Sequence, residues 1–173
     1  PNLWRFGSRE WIRGLLDPKQ IAGPQYFGNT AHKEGDMVNF VKDTIGAQLA
    51  DLSGQELAAL RRQIEDVTYA LAGEAGLIRE RSADTPARIA AGREALINTF
   101  ACIDCHKFHD QGGLGQAPDL TGYASREWLT AFIGNPQHER FYADNNDRTS
   151  HPGRQGQPER SPRHVWCWWF AGP

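Results

Sequence analysis

Two cysteines and a histidine stand close together in the second half of the chain, in the order Cys102-Ile103-Asp104-Cys105-His106. In a c-type haem site, two thiols at this spacing become thioethers to the haem, and the imidazole that follows coordinates the iron. A zinc site would need a second ligand pair at similar spacing, and a thioredoxin-like dithiol would need alternating strands and helices. An ordinary buried pair of cysteines would leave the histidine without a role. The motif favours haem and leaves the other three interpretations open.

The segments that would position this motif recur along the chain. Residues 1–12 read PNLWRFGSREWI, and residues 118–129 read PDLTGYASREWL. Both copies continue into an apolar pair, a proline and an aromatic pair. Such a repeat indicates two copies of one structural module. The first copy lacks its front half, and we expect that half, with its own CxxCH motif, upstream of Pro1.

Cap signals and hydrophobic spacing predict helices, and no convincing strand is found. Ser8 and Ser125 are natural N-caps, which predict helices over roughly 9–16 and 126–134. A further helix over 88–100 leads into the cysteines. The fold class that follows is all-α with long loops.

The most regular apolar pattern predicts a long amphipathic helix over 52–73, with Ser53 and Glu56 as a capping box and Gly73 at its end. Its apolar residues repeat at three- and four-residue steps. They are Leu57, Leu60, Ile64, Val67 and Leu71.

Three features complete the pattern around the motif. They are a helix that ends at the first cysteine, a glycine-rich loop over 112–115, and Pro118. In this layout the chain resembles class I c-type cytochromes over nearly its whole length. The resemblance implies a helical wrap around one covalently bound haem c, attached through Cys102 and Cys105. It also implies that His106 is the proximal iron ligand and that the Pro118 carbonyl accepts a hydrogen bond from its ring.

The same family supplies a methionine as sixth iron ligand, from a loop before its last helix. The chain has a single methionine, Met37, and it precedes the 52–73 helix. We therefore expect Met37 to be the sixth ligand of a first haem, whose attachment motif is missing from this chain, and not to reach the second. A core-filling role is the alternative. The matching loop of the second module has no methionine, and His151 is its one plausible iron ligand.

The predicted organisation is a partial module over 1–75, a near-complete module over 76–148 and an aberrant tail over 149–173. The tail lacks a helical period and crowds three of the six tryptophans into four positions. Because tryptophan has a single codon, part of the DNA sequence can be inferred here and translated in another reading frame. That translation permits an amphipathic helix like the one predicted over 52–73, which the second module otherwise lacks. The tail is therefore interpreted as a shifted reading frame, with a divergent tail as the alternative.

Composition narrows the classes of partner. The chain carries 19 Lys and Arg against 21 Asp and Glu, a net charge of −2, and no basic stripe. Nucleic acid is therefore not expected as a partner. No apolar run is long enough to span a bilayer.

The function expected from the resemblance is electron transfer by a c-type haem, in an electron carrier and not an enzyme. The resemblance implies a periplasmic or otherwise extracytoplasmic location. It also implies redox proteins as partners, and a weaker analogy adds a membrane cytochrome b-type subunit to them. A ligand-binding or peroxide-reducing haem with an open sixth position is the alternative. A structural zinc or dithiol module is the third class.

Overall fold

The computed structural model describes residues 3–77, 85–115 and 117–142. Within these ranges the regular structure is helical, and β structure is limited to one isolated bridge between Phe108 and Gln111. The all-α prediction is therefore confirmed. The α-helices are α1 (Arg9–Leu15), α2 (Asp36–Asn39), α3 (Gly46–Asp51), α4 (Gly54–Glu74), α5 (Thr85–Glu94) and α6 (Arg126–Gly134).

Three shorter segments continue or follow these helices. A π-helix, Phe40–Ile45, joins α2 to α3, and a second one, Ala95–Thr99, extends α5 toward the cysteines. A 3-10 helix, Cys102–Asp104, covers the first three residues of the CxxCH motif. In the described part of the chain, no helix is both long enough and apolar enough to cross a membrane.

The sequence repeat is also a repeat of backbone conformation. Arg5 and Gly122, which occupy equivalent positions, have left-handed φ angles of +60° and +69°. The next equivalent pair, Gly7 and Ala124, has φ angles of +78° and +60°. Non-glycine residues rarely adopt this region, so the shared conformation shows that both copies make the same turn.

Each turn leads into a capped helix. The Ser8 hydroxyl accepts a hydrogen bond from the Trp11 amide at 3.2 Å, and the Ser125 hydroxyl accepts one from the Trp128 amide at 3.1 Å. These bonds satisfy amides that the first turn of a helix leaves open. Both predicted N-caps are confirmed, and α1 and α6 match the helices predicted from them.

The two copies meet through equivalent residues. The rings of Phe6 and Tyr123 lie with their centroids 5.4 Å apart. A Cβ atom added at Gly7 would stand 2.4 Å from the Cβ of Ala124. Contact between equivalent residues is the sign of a local two-fold relation, as in a symmetric dimer interface.

The longest helix, α4, crosses α5, which belongs to the second copy. A Cβ at Gly92 of α5 would stand 1.9 Å from the carbonyl oxygen of Asp66, so the two backbones touch at this point. Arg88 of α5 forms an ion pair with Asp66, and its guanidinium lies 4.4 Å from the ring centre of Tyr69. Close packing and charge therefore join the two helices.

The helix predicted over 52–73 forms, but its predicted ends are corrected. Ser53 is the N-cap residue, yet its side chain makes no capping hydrogen bond, so no capping box with Glu56 exists. The helix ends at Glu74, one residue past the predicted end at Gly73. A Cβ at Gly73 would stand 2.9 Å from the Ile89 side chain, so this glycine also allows the close approach of α5.

Buried apolar residues from both copies form one cluster. It includes Ile12, Ile45 and Val67 before the predicted boundary, and Leu96 and Phe141 after it. The first half-module therefore packs against the second. The tail over 149–173 and residues 78–84 near the predicted boundary lie outside the described residues.

Candidate functional site

The CxxCH motif, Cys102 to His106, lies on a sharp bend after α5. The π-helix Ala95–Thr99 ends at Phe100, and Ala101 then takes a left-handed φ of +47°. The His106 amide donates a hydrogen bond to the Cys102 carbonyl at 2.8 Å, which closes a turn. The side chains of both cysteines and of the histidine therefore extend from one compact turn, as binding to a single group would require.

Neither cysteine of the motif is in a disulfide. Burial raises the pKa of Cys102 to about 12. Burial also raises the pKa of the more exposed Cys105, and the negative charges of Asp36 and Asp104 add to this effect. Redox-active dithiols depend on a lowered thiol pKa, so the site does not favour the thioredoxin-like interpretation.

His106 is held in one ring orientation. Its Nδ1 atom lies 2.7 Å from the Pro118 carbonyl oxygen, and since a carbonyl can only accept, Nδ1 carries the proton and donates. Burial lowers the pKa of His106, although the bond to Pro118 acts in the opposite direction. The ring is therefore neutral, with the lone pair of Nε2 available to a metal. The predicted pairing of His106 with Pro118 is present.

The Pro118 carbonyl is itself fixed by its neighbours. The Leu120 amide donates to the Lys107 carbonyl at 2.8 Å, which ties the segment after Pro118 to the residue after His106. The Trp128 indole N–H of α6 donates to the Asp119 carbonyl at 2.7 Å. Helix α6 thus helps to position the segment that contains the Pro118 carbonyl, and this carbonyl in turn orients the His106 ring.

The glycine-rich loop packs against the turn formed by the CxxCH motif. Gly112 has a φ of +75°, and a Cβ there would stand 2.2 Å from the His106 carbonyl oxygen and 2.7 Å from that of Ile103. A side chain at this position would push the loop off the motif. The glycine is therefore required by both its φ angle and its close contact.

Met37 lies in α2, half-buried, and packs against the same apolar cluster as Cys102 and Ile103. Its neighbour Asp36 is close enough to Cys105 to act on the pKa of that thiol. Asp36, the neighbour of Met37, therefore lies near Cys105, although Met37 and Cys105 are predicted to serve different haems.

One functional candidate was not found from the sequence. Glu74, at the end of α4, is only 6% exposed in its side chain. Its carboxylate accepts hydrogen bonds from the Gly122 amide at 2.8 Å, from His109 Nε2 at 2.9 Å and from Arg93 at 2.9 Å. Nothing local in the sequence distinguishes Glu74 from a solvated helix-end residue, because all three donors come from the second copy.

The donor set of the motif fits a covalently attached haem better than a zinc ion. Two unlinked thiols and a neutral imidazole on one turn are the groups that a c-type haem uses. In residues 3–77, 85–115 and 117–142, no cluster of three or more His, Cys, Asp or Glu side chains is arranged to hold a metal ion. Of the other candidates, His138 accepts a hydrogen bond from the Arg140 amide at 3.2 Å. His151 lies outside the described residues.

Comparisons with known proteins add no relative. No protein-family model matches the chain, and no match is found among curated proteins or among solved structures.

Proposed function

We propose that this chain carries single electrons on a c-type haem bound through Cys102 and Cys105, with His106 as an axial iron ligand. The observation that carries the proposal is the 2.7 Å contact between His106 Nδ1 and the Pro118 carbonyl oxygen. It leaves Nε2 as the ligating atom on the residue that directly follows the two thiols.

When bound, the haem supplies one-electron redox chemistry, and the chain supplies its position and surroundings. The Pro118 carbonyl, as acceptor from Nδ1, holds the His106 ring in place and makes its Nε2 a stronger donor. The apolar residues Leu96 and Phe100, both buried and just before the motif in the chain, would help to exclude water from a haem held there. Exclusion of water lowers the reorganisation energy of electron transfer, because fewer solvent dipoles must reorient when the charge on the iron changes.

The resemblance to class I cytochromes extends the proposal to the architecture and the location. The helices wrap one haem, and attachment takes place on the periplasmic or an equivalent extracytoplasmic face. The partners are redox proteins, including a membrane cytochrome b-type subunit. The physiological donor and acceptor exchange electrons with the haem. The chain itself forms and breaks no covalent bond in this exchange.

The test is expression of the full chain with and without a haem c maturation system. We expect a mass increase of one haem that survives denaturation, together with the pyridine haemochrome spectrum of a haem bound by two thioethers. Cys102→Ala and Cys105→Ala should each shift that spectrum toward a single thioether or abolish attachment. Cys167→Ala is the matched control, and it should leave attachment unchanged.

Each other class of protein gives a different result in the same experiment. A structural zinc module would contain bound zinc and no haem-linked mass. A dithiol module would form a reversible disulfide between Cys102 and Cys105, detected by thiol alkylation. Either result would overturn the proposal.

A further inference from the structure

We propose that the indole rings of Trp128 and Trp11, with the ring of Phe6 between them, form a relay that supplies one electron to the haem site from the core of the protein. This inference rests on the proposed function and adds to it a second redox centre, made of side chains. The oxidant is a peroxide that has reacted at the haem. The two indoles then share the oxidising equivalent.

The first support is the connection between the proposed iron ligand and Trp128. His106 Nδ1 lies 2.7 Å from the Pro118 carbonyl oxygen, and the Trp128 indole N–H donates to the Asp119 carbonyl oxygen at 2.7 Å. Two hydrogen bonds and one short stretch of backbone therefore join the imidazole to the indole. Electronic coupling is stronger through covalent and hydrogen bonds than across empty space, so this route favours electron transfer from Trp128.

The second support is a continuous series of ring contacts from Trp128 to Trp11. The centroid of the Phe6 ring lies 6.4 Å from that of Trp128 and 4.6 Å from that of Trp11. Tyr123 spans the same gap, with its ring centroid 5.2 Å from Trp128 and 5.4 Å from Phe6. These separations are those of aromatic rings in contact. Both indoles are buried, so water has little access to an oxidised ring.

The third support is what the polar atoms of these rings contact. Oxidation of a tyrosine is coupled to loss of its phenolic proton, whereas an indole can be oxidised and keep its N–H proton. The Tyr26 hydroxyl donates to the Trp11 carbonyl oxygen at 3.0 Å, and a carbonyl is too weak a base to take that proton. Burial also raises the pKa of Tyr26 and that of Tyr123. The oxidising equivalent therefore stays on the indoles.

Each step of the relay transfers one electron and no proton. Trp128 gives one electron to the oxidised haem site and becomes a radical cation. Its N–H proton stays in the hydrogen bond to the Asp119 carbonyl. Trp11 then gives one electron to the radical cation of Trp128, which returns to its neutral form, and the positive charge passes to Trp11.

The first experiment uses the full chain without haem, so that it tests the relay by itself. A ruthenium polypyridyl photo-oxidant is attached to the exposed thiol of Cys105, and Cys102→Ala and Cys167→Ala remove the other two thiols. After a flash, a soluble acceptor takes one electron from the excited label. Transient absorption then follows the reduction of the oxidised label and the formation of the indole radical. The indoles of the tail are removed by Trp166→Phe, Trp168→Phe and Trp169→Phe.

Three variants in this background test the three rings of the relay. We expect Trp128→Phe to slow the reduction of the label several-fold, because the first donor is lost. We expect Trp11→Phe and Phe6→Leu each to lower the yield of the indole radical several-fold, because the oxidising equivalent no longer leaves Trp128. Far-UV circular dichroism like that of the parent separates loss of the relay from loss of the fold. Trp4→Phe is the matched control and should change neither quantity, since Trp4 is 73% exposed.

The second experiment uses the haem-loaded chain, treated with hydrogen peroxide and frozen. Electron paramagnetic resonance should show an indole radical in the parent and in Trp4→Phe, and none in Trp128→Phe. Absence of covalent haem would overturn the proposed function, whatever the labelled chain shows. Attached haem, with label kinetics and radical yield that are the same in the parent, Trp128→Phe and Trp11→Phe, would overturn this inference alone. A full radical yield in Phe6→Leu would overturn the path through the Phe6 ring.

Discussion

Gly92 of α5 lies directly beneath the main chain of Asp66 in α4, so close that a Cβ at position 92 would stand 1.9 Å from the Asp66 carbonyl oxygen. The neighbour is backbone and cannot rotate away. The contact therefore sets the distance between α4 of the first copy and α5, the helix that leads to the CxxCH motif of the second.

We expect Gly92→Ala to lower the free energy of unfolding by about 1–3 kcal/mol, the usual cost of overpacking a tight contact. The change should be read from chemical denaturation of the unloaded chain. Gly134→Ala, with open space around its Cβ, should change the same quantity by less than about 0.5 kcal/mol. Equal effects of the two variants would contradict the close contact between α4 and α5.

We expect Glu74→Gln to destabilise the chain by about 1–3 kcal/mol, because charge-assisted hydrogen bonds are stronger than neutral ones and an amide cannot accept all three of these donors. The measurement is again chemical denaturation at neutral pH. Glu56→Gln is the control, since Glu56 is exposed in the first turn of the same helix. A Glu74→Gln variant as stable as the parent would show that the cluster does not hold the two copies together.

Glu74 should also contribute a pH dependence. Burial alone would raise the pKa of this carboxyl, but the Gly122 amide, His109 and Arg93 outweigh it, and the pKa lies below its ordinary value of 4.5. A lowered pKa in the folded state stabilises the fold above the ordinary pKa, and this stabilisation is lost as the pH falls through the lower, folded value. We expect the acid side of the stability profile to be flatter in Glu74→Gln than in the parent. Parallel profiles would contradict this assignment.

We expect Trp128→Phe to cost about 1–3 kcal/mol, because it leaves the Asp119 carbonyl without the indole donor and shrinks a buried ring. In the haem-loaded chain it should also shift the spectrum, since the segment that holds the Pro118 carbonyl loosens. Trp4→Phe is the control, because Trp4 is 73% exposed. An unchanged spectrum in Trp128→Phe would show that α6 does not position the His106 acceptor.

We expect Ser8→Ala and Ser125→Ala to lower the free energy of unfolding by similar amounts, about 1 kcal/mol each, because each removes the same N-cap bond. Thermal or chemical denaturation checks this. Threonine at either position should restore most of the loss. A large effect in one copy and none in the other would contradict the equivalence of the two turns.

The sequence by itself determined the features that depend on neighbouring residues. The CxxCH motif, the two serine caps and α1 and α6 were all predicted from short stretches, because an N-cap bond joins residues only three positions apart. The long helix α4 was likewise evident from its apolar spacing. Its ends were predicted to within two residues, but the contact of Gly73 with Ile89 was not, because Ile89 is 16 positions away in the chain.

The tertiary structure alone decided which parts of the two copies belong together. The Glu74 carboxylate and the Gly122 amide are 48 positions apart, and no local pattern predicts that they meet. A sequence repeat identifies equivalent segments and says nothing of which copy packs on which. That choice depends on the shape and charge of surfaces that form only after the helices do, above all the backbone contact at Gly92.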